Sequence, residues 1–364
     1  MESKPSKFLV GIIIFNLLIS IIAISGLVFL LLLAPKNTTI TSTTVSSSTS
    51  ILSSVASSAN KIAMPTTYSP DVNFKFTLDN LPRIDGSTSN VPLRSFMLCK
   101  LLNYPCSWQE YTLDEVGANK ERYVDIKTTD ANNKVLGTKS VNSTTHNAYV
   151  KLINGDTDVI FVATLPSDEE KALMKEKNVE FNIQPIAMDA FVFIDNVKNP
   201  VTGLTLKQIL DVYTGQVTNW KELGGSNAKL NAYQREDNSG SQELMKSLVL
   251  KGVKAMGAPE MVIQGMMGLI NRVEGDVNSI GYSVYFYEQF MVKNSSLKLL
   301  AIDGVAPSYS TLADQTYPLV SPVYVVTKKG IAANSPASNL ANWMLTKEGQ
   351  TVVKDSGYVP AVKQ

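Results

Sequence analysis

The chain has 364 residues, 44% of them hydrophobic, and is therefore long enough for one large or two medium-sized folded domains. Its 33 Lys and Arg residues nearly balance its 32 Asp and Glu residues, giving a formal net charge of +1. Such a balance leaves no broad basic surface and excludes nucleic acid as an expected partner.

Residues 8–34 form an almost unbroken apolar run near the N-terminus. As a helix it would span roughly 40 Å, more than the ~30 Å of a bilayer core and longer than a cleavable signal needs. Lys4 and Lys7 precede the run, and the positive-inside rule then places residues 1–7 in the cytoplasm. We predict a single-pass anchor in the cell membrane with an extracellular folded domain; a long, cleaved signal peptide is the alternative.

Residues 35–67 follow as a linker, and between Asn37 and Asn60 well over half of the residues are Ser or Thr. This stretch has no period that could bury a face, so burial cannot offset the entropy lost on ordering. We predict a flexible spacer between the membrane and the folded domain.

After Tyr68, short β-type runs alternate with amphipathic helical stretches, which is typical of an α/β domain. Residues 159–162, 190–194 and 323–326 are predicted strands, and residues 171–179 a helix. A further helix should begin after Thr205, which forms a capping-box pair with Gln208, and end at Gly215.

The two cysteines, Cys99 and Cys106, are too few for a disulfide scaffold or a thiolate metal cluster. Their spacing favours two small buried apolar side chains, although a disulfide between them stays open. We expect neither a metal nor a cofactor.

Three loops place small hydroxyl or Gly residues directly before a helical pattern: residues 85–89, 143–146 and 235–241. Backbone N–H groups at a helix start, with hydroxyls and a guanidinium, suit a compact oxyanion. Ordinary helix caps and a surface Arg–Asp pair are the alternative reading. The candidate ligand contacts in these loops are Ser87, Thr88, Ser89, Thr145, His146, Arg235, Asp237, Ser239, Gly240 and Ser241.

From about Pro82 to its C-terminus, the chain resembles the substrate-binding proteins of phosphate ABC transporters. The resemblance rests on ordered motifs at residues 84–88, 92–93, 199–201, 204–205, 213–215, 218–220, 224–225, 235–241 and 279–282. It implies an α/β, two-lobed type II periplasmic-binding-protein-like fold after the transmembrane helix and linker. Lobe 1 would comprise residues 68–186 plus 322–364, lobe 2 residues 187–321, with crossings near Ala187 and Ser321.

The resemblance also implies site roles. Thr88 and Ser89 would bind the anion from the first lobe, and Thr145 would add a hydroxyl from the second loop. The opposite lobe would contribute Arg235, Ser239, Gly240 and Ser241, with Asp237 supporting Arg235. One departure is Thr164, which stands where the family's phosphate binders carry a proton-accepting aspartate. A Thr164 hydroxyl or His146 could replace that acceptor in part.

The implied function is capture of phosphate for an ABC-type importer, with the permease subunits as partners. A receptor or sensor for sulfate, molybdate or a phosphonate is the alternative. A phosphate-ester hydrolase using Ser239 or Ser87 is less favoured, because one histidine and no Gly-x-Ser-x-Gly motif are present. We therefore expect a binding protein and not an enzyme.

Overall fold

A computed structural model describes residues 61–112 and 120–362. The predicted cytoplasmic segment 1–7, anchor 8–34 and most of the linker 35–67 lie outside these residues. Within the described ranges, no helix is both long and apolar enough to cross a membrane.

The described chain alternates strands and helices. The strands are β1 (Ile84–Gly86), β2 (Cys106–Thr112), β3 (Lys120–Ile126), β4 (Val159–Val162), β5 (Phe181–Asn196), β6 (Gly203–Leu204), β7 (Asn231–Ala232), β8 (Gln234–Arg235), β9 (Val262–Ile263), β10 (Ser279–Val284), β11 (Leu297–Leu299), β12 (Ala301–Ile302), β13 (Val320–Lys328) and β14 (Val359–Pro360). The α-helices are α1 (Val91–Leu102), α2 (Asp130–Lys139), α3 (Thr144–Asn154), α4 (Asp168–Glu176), α5 (Leu206–Tyr213), α6 (Gly240–Leu244), α7 (Met266–Gly275), α8 (Tyr309–Ala313), α9 (Pro336–Trp343) and α10 (Lys347–Ser356). Shorter 3-10 turns cover Thr88–Asn90, Trp220–Leu223 and Pro259–Met261, and π-helical stretches cover Met245–Leu250 and Tyr287–Val292.

A mixed sheet of eight strands organises the described residues, with the order β1-β4-β13-β5-β10-β7 and with β11 and β14 also paired to β5. Strand β5 connects the part of the sheet that contains β13 to the part that contains β10. Residues 181–190 of β5 pair with β13, and residues 191–195 pair with β10. The change of partner follows Ala190, close to the predicted crossing at Ala187, and Ser321 of β13 faces Asp189 there. The division into two lobes stays a prediction.

Several predicted elements are confirmed. Strand β4 has the predicted bounds, and the other two predicted strands lie within β5 and β13. The Thr205 hydroxyl accepts from the Gln208 amide and Gln208 caps in return, so helix α5 begins where its capping box indicates. Gly215, with φ of 77°, follows its end in the left-handed region.

The favoured expectation of unpaired cysteines is wrong. Cys99, in helix α1, forms a disulfide with Cys106, the first residue of strand β2, with 6.2 Å between their Cα atoms. The turn after α1 reverses the chain at Asn103, which has φ of 57°, and thereby brings β2 back alongside the helix. The bond ties the β2–β3 hairpin to α1.

The core beside the site is aromatic. Phe191 and Phe193 of β5 pack with Tyr213 of α5 and Tyr282 of β10, with ring centroids 5.2 to 6.2 Å apart. All four side chains are at most 1% exposed. This cluster fixes the position of the Tyr282 ring, whose hydroxyl reaches the third predicted loop.

Candidate oxyanion-binding site

A cavity of about 350 Å³ lies where the three predicted loops meet. Every candidate residue named from the sequence lines it except Thr164. Its walls are formed by Ser87, Thr88, Ser89, Thr144, Thr145, His146, Asn147, Ala163, Arg235, Glu236, Asp237, Asn238, Ser239, Gly240, Ser241, Leu244, Gly265, Met266 and Val284.

The first two loops are joined by a buried carboxylate, Asp85. Its Oδ1 accepts from the backbone N–H groups of Gly86 (2.7 Å) and Ser143 (2.8 Å), so one side chain positions the starts of both loops. The Ser87 and Thr145 hydroxyls lie 2.8 Å apart and share a hydrogen bond. The hydroxyl groups on this side of the cavity are therefore ordered by the protein itself.

The third loop approaches the second so closely that it requires a glycine. A Cβ added to Gly240 would lie 2.5 Å from the Thr145 hydroxyl oxygen, well inside van der Waals contact. Ser239 caps helix α6, its hydroxyl accepting from the Gln242 amide at 3.3 Å. Because α6 continues into the π-helical stretch 245–250, the N-termini of α3 and of this longer helix both border the cavity, an arrangement that favours an anion.

Arg235 is the buried cation of the site, with 6% of the residue exposed. Its Nε and Nη2 donate to Glu236 at 2.9 and 2.8 Å. Burial raises the pKa of Glu236, but the hydrogen bonds and charge of Arg235 outweigh this and hold that pKa below its usual value. Of five guanidinium N–H groups, two are used, and no acceptor among the described residues takes the other three.

The prediction that Asp237 supports Arg235 is wrong. Asp237 lines the cavity, but its side chain is 83% exposed and pairs with Lys246 at 3.2 Å. Glu236 takes the supporting role, since its two carboxylate oxygens accept from Nε and Nη2 of Arg235.

Tyr282 explains why a Gly-Tyr element belongs to this site. Its hydroxyl accepts from the Arg235 backbone N–H at 2.7 Å and donates to the Gln242 side chain in α6. Burial raises the pKa of Tyr282, which keeps the hydroxyl protonated and able to make both bonds. The aromatic core thus sets the positions of both Arg235 and the third loop.

His146 lies in the first turn of α3 and is 25% exposed at its side chain. Its Nδ1 is 3.0 Å from Oε1 of Glu170, a residue of α4 that is only 3% exposed. The other oxygen of Glu170 accepts from the Ser167 backbone N–H at 2.8 Å. The pKa of Glu170 is raised above its usual value, because burial outweighs the hydrogen bonds from Ser167 and His146 that favour the carboxylate form.

Thr164 is the one predicted contact that the cavity does not include. Its neighbour Ala163 lines the wall instead, and Thr164 is 6% exposed, its carbonyl accepting from the Tyr149 hydroxyl at 2.7 Å. Successive residues at the end of an extended strand face opposite ways, so only one of the two can face the cavity.

The sequence assigned no role at the site to the carboxylates of Asp85, Glu170 and Glu236, to the Tyr282 hydroxyl or to the Gln242 side chain. Asp85 and Glu236 lie within the predicted loops, so a closer reading of those loops could have proposed them. Glu170 is 24 residues from His146 and has no local signal beyond its capping box with Ser167. The described residues contain no group of His, Cys, Asp and Glu able to hold a metal ion.

The fold and this cavity place the chain in a known class: it belongs to the PBP superfamily, whose domain matches residues 109–348. Two curated relatives are phosphate-binding proteins PstS. That of Staphylococcus epidermidis is 26% identical over 59% of this chain and 67% of its own, and that of Staphylococcus saprophyticus is 27% identical over 64% and 74%.

Among solved structures, the chain resembles a protein of Clostridium perfringens assigned as a phosphate ABC transporter substrate-binding protein and crystallised with phosphate. The TM-score is 0.56 at 24% identity, covering 77% of this chain and 98% of the other. This likeness establishes the mixed α/β fold of the family.

Proposed function

We propose that the protein captures phosphate, or a closely related oxyanion, and delivers it to an ABC-type importer. The observation that carries the proposal is the meeting of three hydroxyl-bearing loops and one buried guanidinium in a single cavity of about 350 Å³. The relatives named as phosphate-binding proteins support phosphate as the ligand.

The cavity is suited to binding and not to catalysis. Ser87 and Ser239 are the two candidate nucleophiles. The Ser87 hydroxyl is hydrogen-bonded to that of Thr145, and the Ser239 hydroxyl caps a helix. Neither is hydrogen-bonded to His146 within the described part of the chain. A nucleophilic serine needs a base within hydrogen-bond reach, so the hydrolase alternative lacks support.

We also propose that the protein has two lobes and a membrane tether. Residues 68–186 with 322–364 would form one lobe and residues 187–321 the other, with the loops at Ser87 and Thr145 facing Arg235 across the cleft. Residues 8–34 would anchor the protein in the cell membrane, and the linker would hold the binding domain outside the cell near the permease subunits.

A thermal-shift titration of the purified protein in mild detergent tests this function. A ligand that binds only the folded state stabilises it, by about 2.7 kcal/mol at a hundred times its dissociation constant. Phosphate should raise the melting temperature in a concentration-dependent way, and potassium chloride at equal ionic strength should not. If neither phosphate, sulfate, molybdate nor a phosphonate raises the melting temperature, the proposal fails.

A further inference from the structure

His146 is the single histidine of the chain, and it lines the cavity. The contact at its Nδ1 determines whether its other ring nitrogen can donate or accept a hydrogen bond. With Nδ1 held by Glu170, the remaining ring nitrogen is Nε2. The described part of the chain offers Nε2 no hydrogen bond. A neutral imidazole carries one proton, so the nitrogen that lacks it is an acceptor.

Glu170 determines where that proton sits. Its Oε2 already accepts from the Ser167 backbone N–H, a donor that cannot change its role, and its Oε1 faces His146. When Glu170 is ionised, its carboxylate can only accept, so Nδ1 must donate to it. The remaining nitrogen, Nε2, is then the acceptor.

Among the described residues, Glu170 is the acidic group in hydrogen-bond contact with the imidazole of His146. Arg235 shares the cavity, and His146 lies in the first turn of α3, where the helix dipole is positive. The acidic groups on neighbouring elements are engaged elsewhere: Glu169 accepts from Asn238 (2.7 Å), Asp85 lies 3.5 Å from Lys151, and Glu236, Asp237 and Glu243 pair with Arg235 or Lys246.

We propose that Glu170 is a positioning residue that holds His146 as an acceptor at Nε2, and that this acceptor selects oxyanions which still carry a hydroxyl. Hydrogen phosphate and hydrogen arsenate can donate their hydroxyl to Nε2, whereas sulfate has no proton to donate. With sulfate bound, Nε2 would face oxygen lone pairs and have no hydrogen-bond donor. This unsatisfied acceptor should lower the affinity for sulfate relative to hydrogen phosphate. This inference rests on the proposed oxyanion-binding function and specifies its ligand class.

Replacing Glu170 by Gln should reverse the tautomer of His146. In Glu170→Gln, the side-chain oxygen must stay on the Ser167 N–H, so the NH₂ group turns toward Nδ1. Nδ1 then becomes the acceptor and Nε2 carries the proton, which suits sulfate and opposes hydrogen phosphate. A purely structural role for Glu170 would change both affinities equally.

The test combines calorimetry with ¹⁵N NMR at mildly alkaline pH. Because the chain has one histidine, its imidazole signals can be identified without further labelling. Wild type should bind phosphate more tightly than sulfate and show the neutral Nδ1–H tautomer in the phosphate complex. Glu170→Gln should show the Nε2–H tautomer and lower the phosphate-to-sulfate affinity ratio roughly tenfold to a hundredfold. Glu222→Gln, the same change in the capping box of the turn at 220–223, is the matched control and should leave the ratio unchanged.

Two results would overturn this inference and leave the proposed function intact. One is an Nε2–H tautomer or an imidazolium in the wild-type phosphate complex. The other is a reversed tautomer in Glu170→Gln with an unchanged phosphate-to-sulfate affinity ratio. The wild-type spectrum decides even if Glu170→Gln does not fold. Wild type that binds none of these anions would instead refute the proposed function, and the inference with it.

Discussion

Replacing Arg235 by Ala should remove most of the binding free energy that charge contributes at the site. The guanidinium is 6% exposed, and its fork to Glu236 leaves three N–H groups for an anion. Charge-assisted hydrogen bonds contribute roughly 1.5 to 3 kcal/mol each, so two of them amount to about 3 to 6 kcal/mol. At 1.4 kcal/mol per factor of ten, the dissociation constant should rise by roughly two to four orders of magnitude.

The same change leaves the Glu236 carboxylate on the cavity wall without its cation. That charge would repel the anion, so Arg235→Ala combined with Glu236→Gln should bind more tightly than Arg235→Ala alone. Arg235→Lys keeps the charge but loses the planar fork, and should fall between wild type and the alanine variant.

Isothermal titration calorimetry with phosphate measures all four proteins, with thermal melting to confirm that each is folded. Arg272→Ala removes an exposed arginine from outside the cavity and serves as the control. If Arg235→Ala binds within threefold of wild type while Arg272→Ala is equally unaffected, Arg235 does not contact the ligand and the site assignment fails.

Three further outcomes are expected. Gly240→Ala places a methyl group 2.5 Å from the Thr145 hydroxyl, and calorimetry should show phosphate binding weakened by about 1 to 3 kcal/mol. Burial raises the pKa of Asp189 to about 7, so the folded state binds its proton more tightly than the unfolded chain does. The free energy of unfolding should therefore fall as pH rises from about 4 to about 7, at about 1.4 kcal/mol per unit, and Asp189→Asn should remove this share of the slope in urea titrations. Replacing Cys99 and Cys106 by Ser opens a short covalent loop and should lower the free energy of unfolding by roughly 2 to 3 kcal/mol, as measured in the same titrations.

Each of these has an outcome that contradicts it. Gly137→Ala is the control for Gly240, because a methyl group there meets nothing within 4 Å, and equal effects of both changes would argue against crowding at the site. An unaltered pH slope in Asp189→Asn would mean that its carboxyl titrates as in the unfolded chain. Equal stability of wild type under oxidising and reducing conditions would show that the disulfide adds nothing.

The sequence predicted what depends on local chemistry. Small hydroxyl residues directly before a helical pattern mark a helix start, so the loops at Ser87, Thr145 and Ser239 could be located in advance. The capping box at Thr205 and the buried strand β4 were recognisable for the same reason. Of the three N-cap residues Ser87, Ser143 and Ser239, only Ser239 caps its helix with its side chain.

The parts that could not be predicted depend on direction and on distant partners. Ala163 and Thr164 are adjacent, and only the course of the backbone decides which faces the cavity. Glu236 and Asp237 are equally suited to hold a guanidinium, and the structure gives the role to the first. Glu170 reaches His146 through the packing of α4 beside α3, which no sequence pattern records.

Strand β5 has a consequence for how the domain unfolds. One continuous backbone of 16 residues supplies hydrogen bonds to β13 and β14 on one side of its partner change and to β10 and β11 on the other. If either part of the sheet unfolds, β5 loses hydrogen-bond partners, and the other part is destabilised because it also pairs with β5. The described region should therefore denature in one concerted step, and a cut in β5 should give two fragments that regain structure only together.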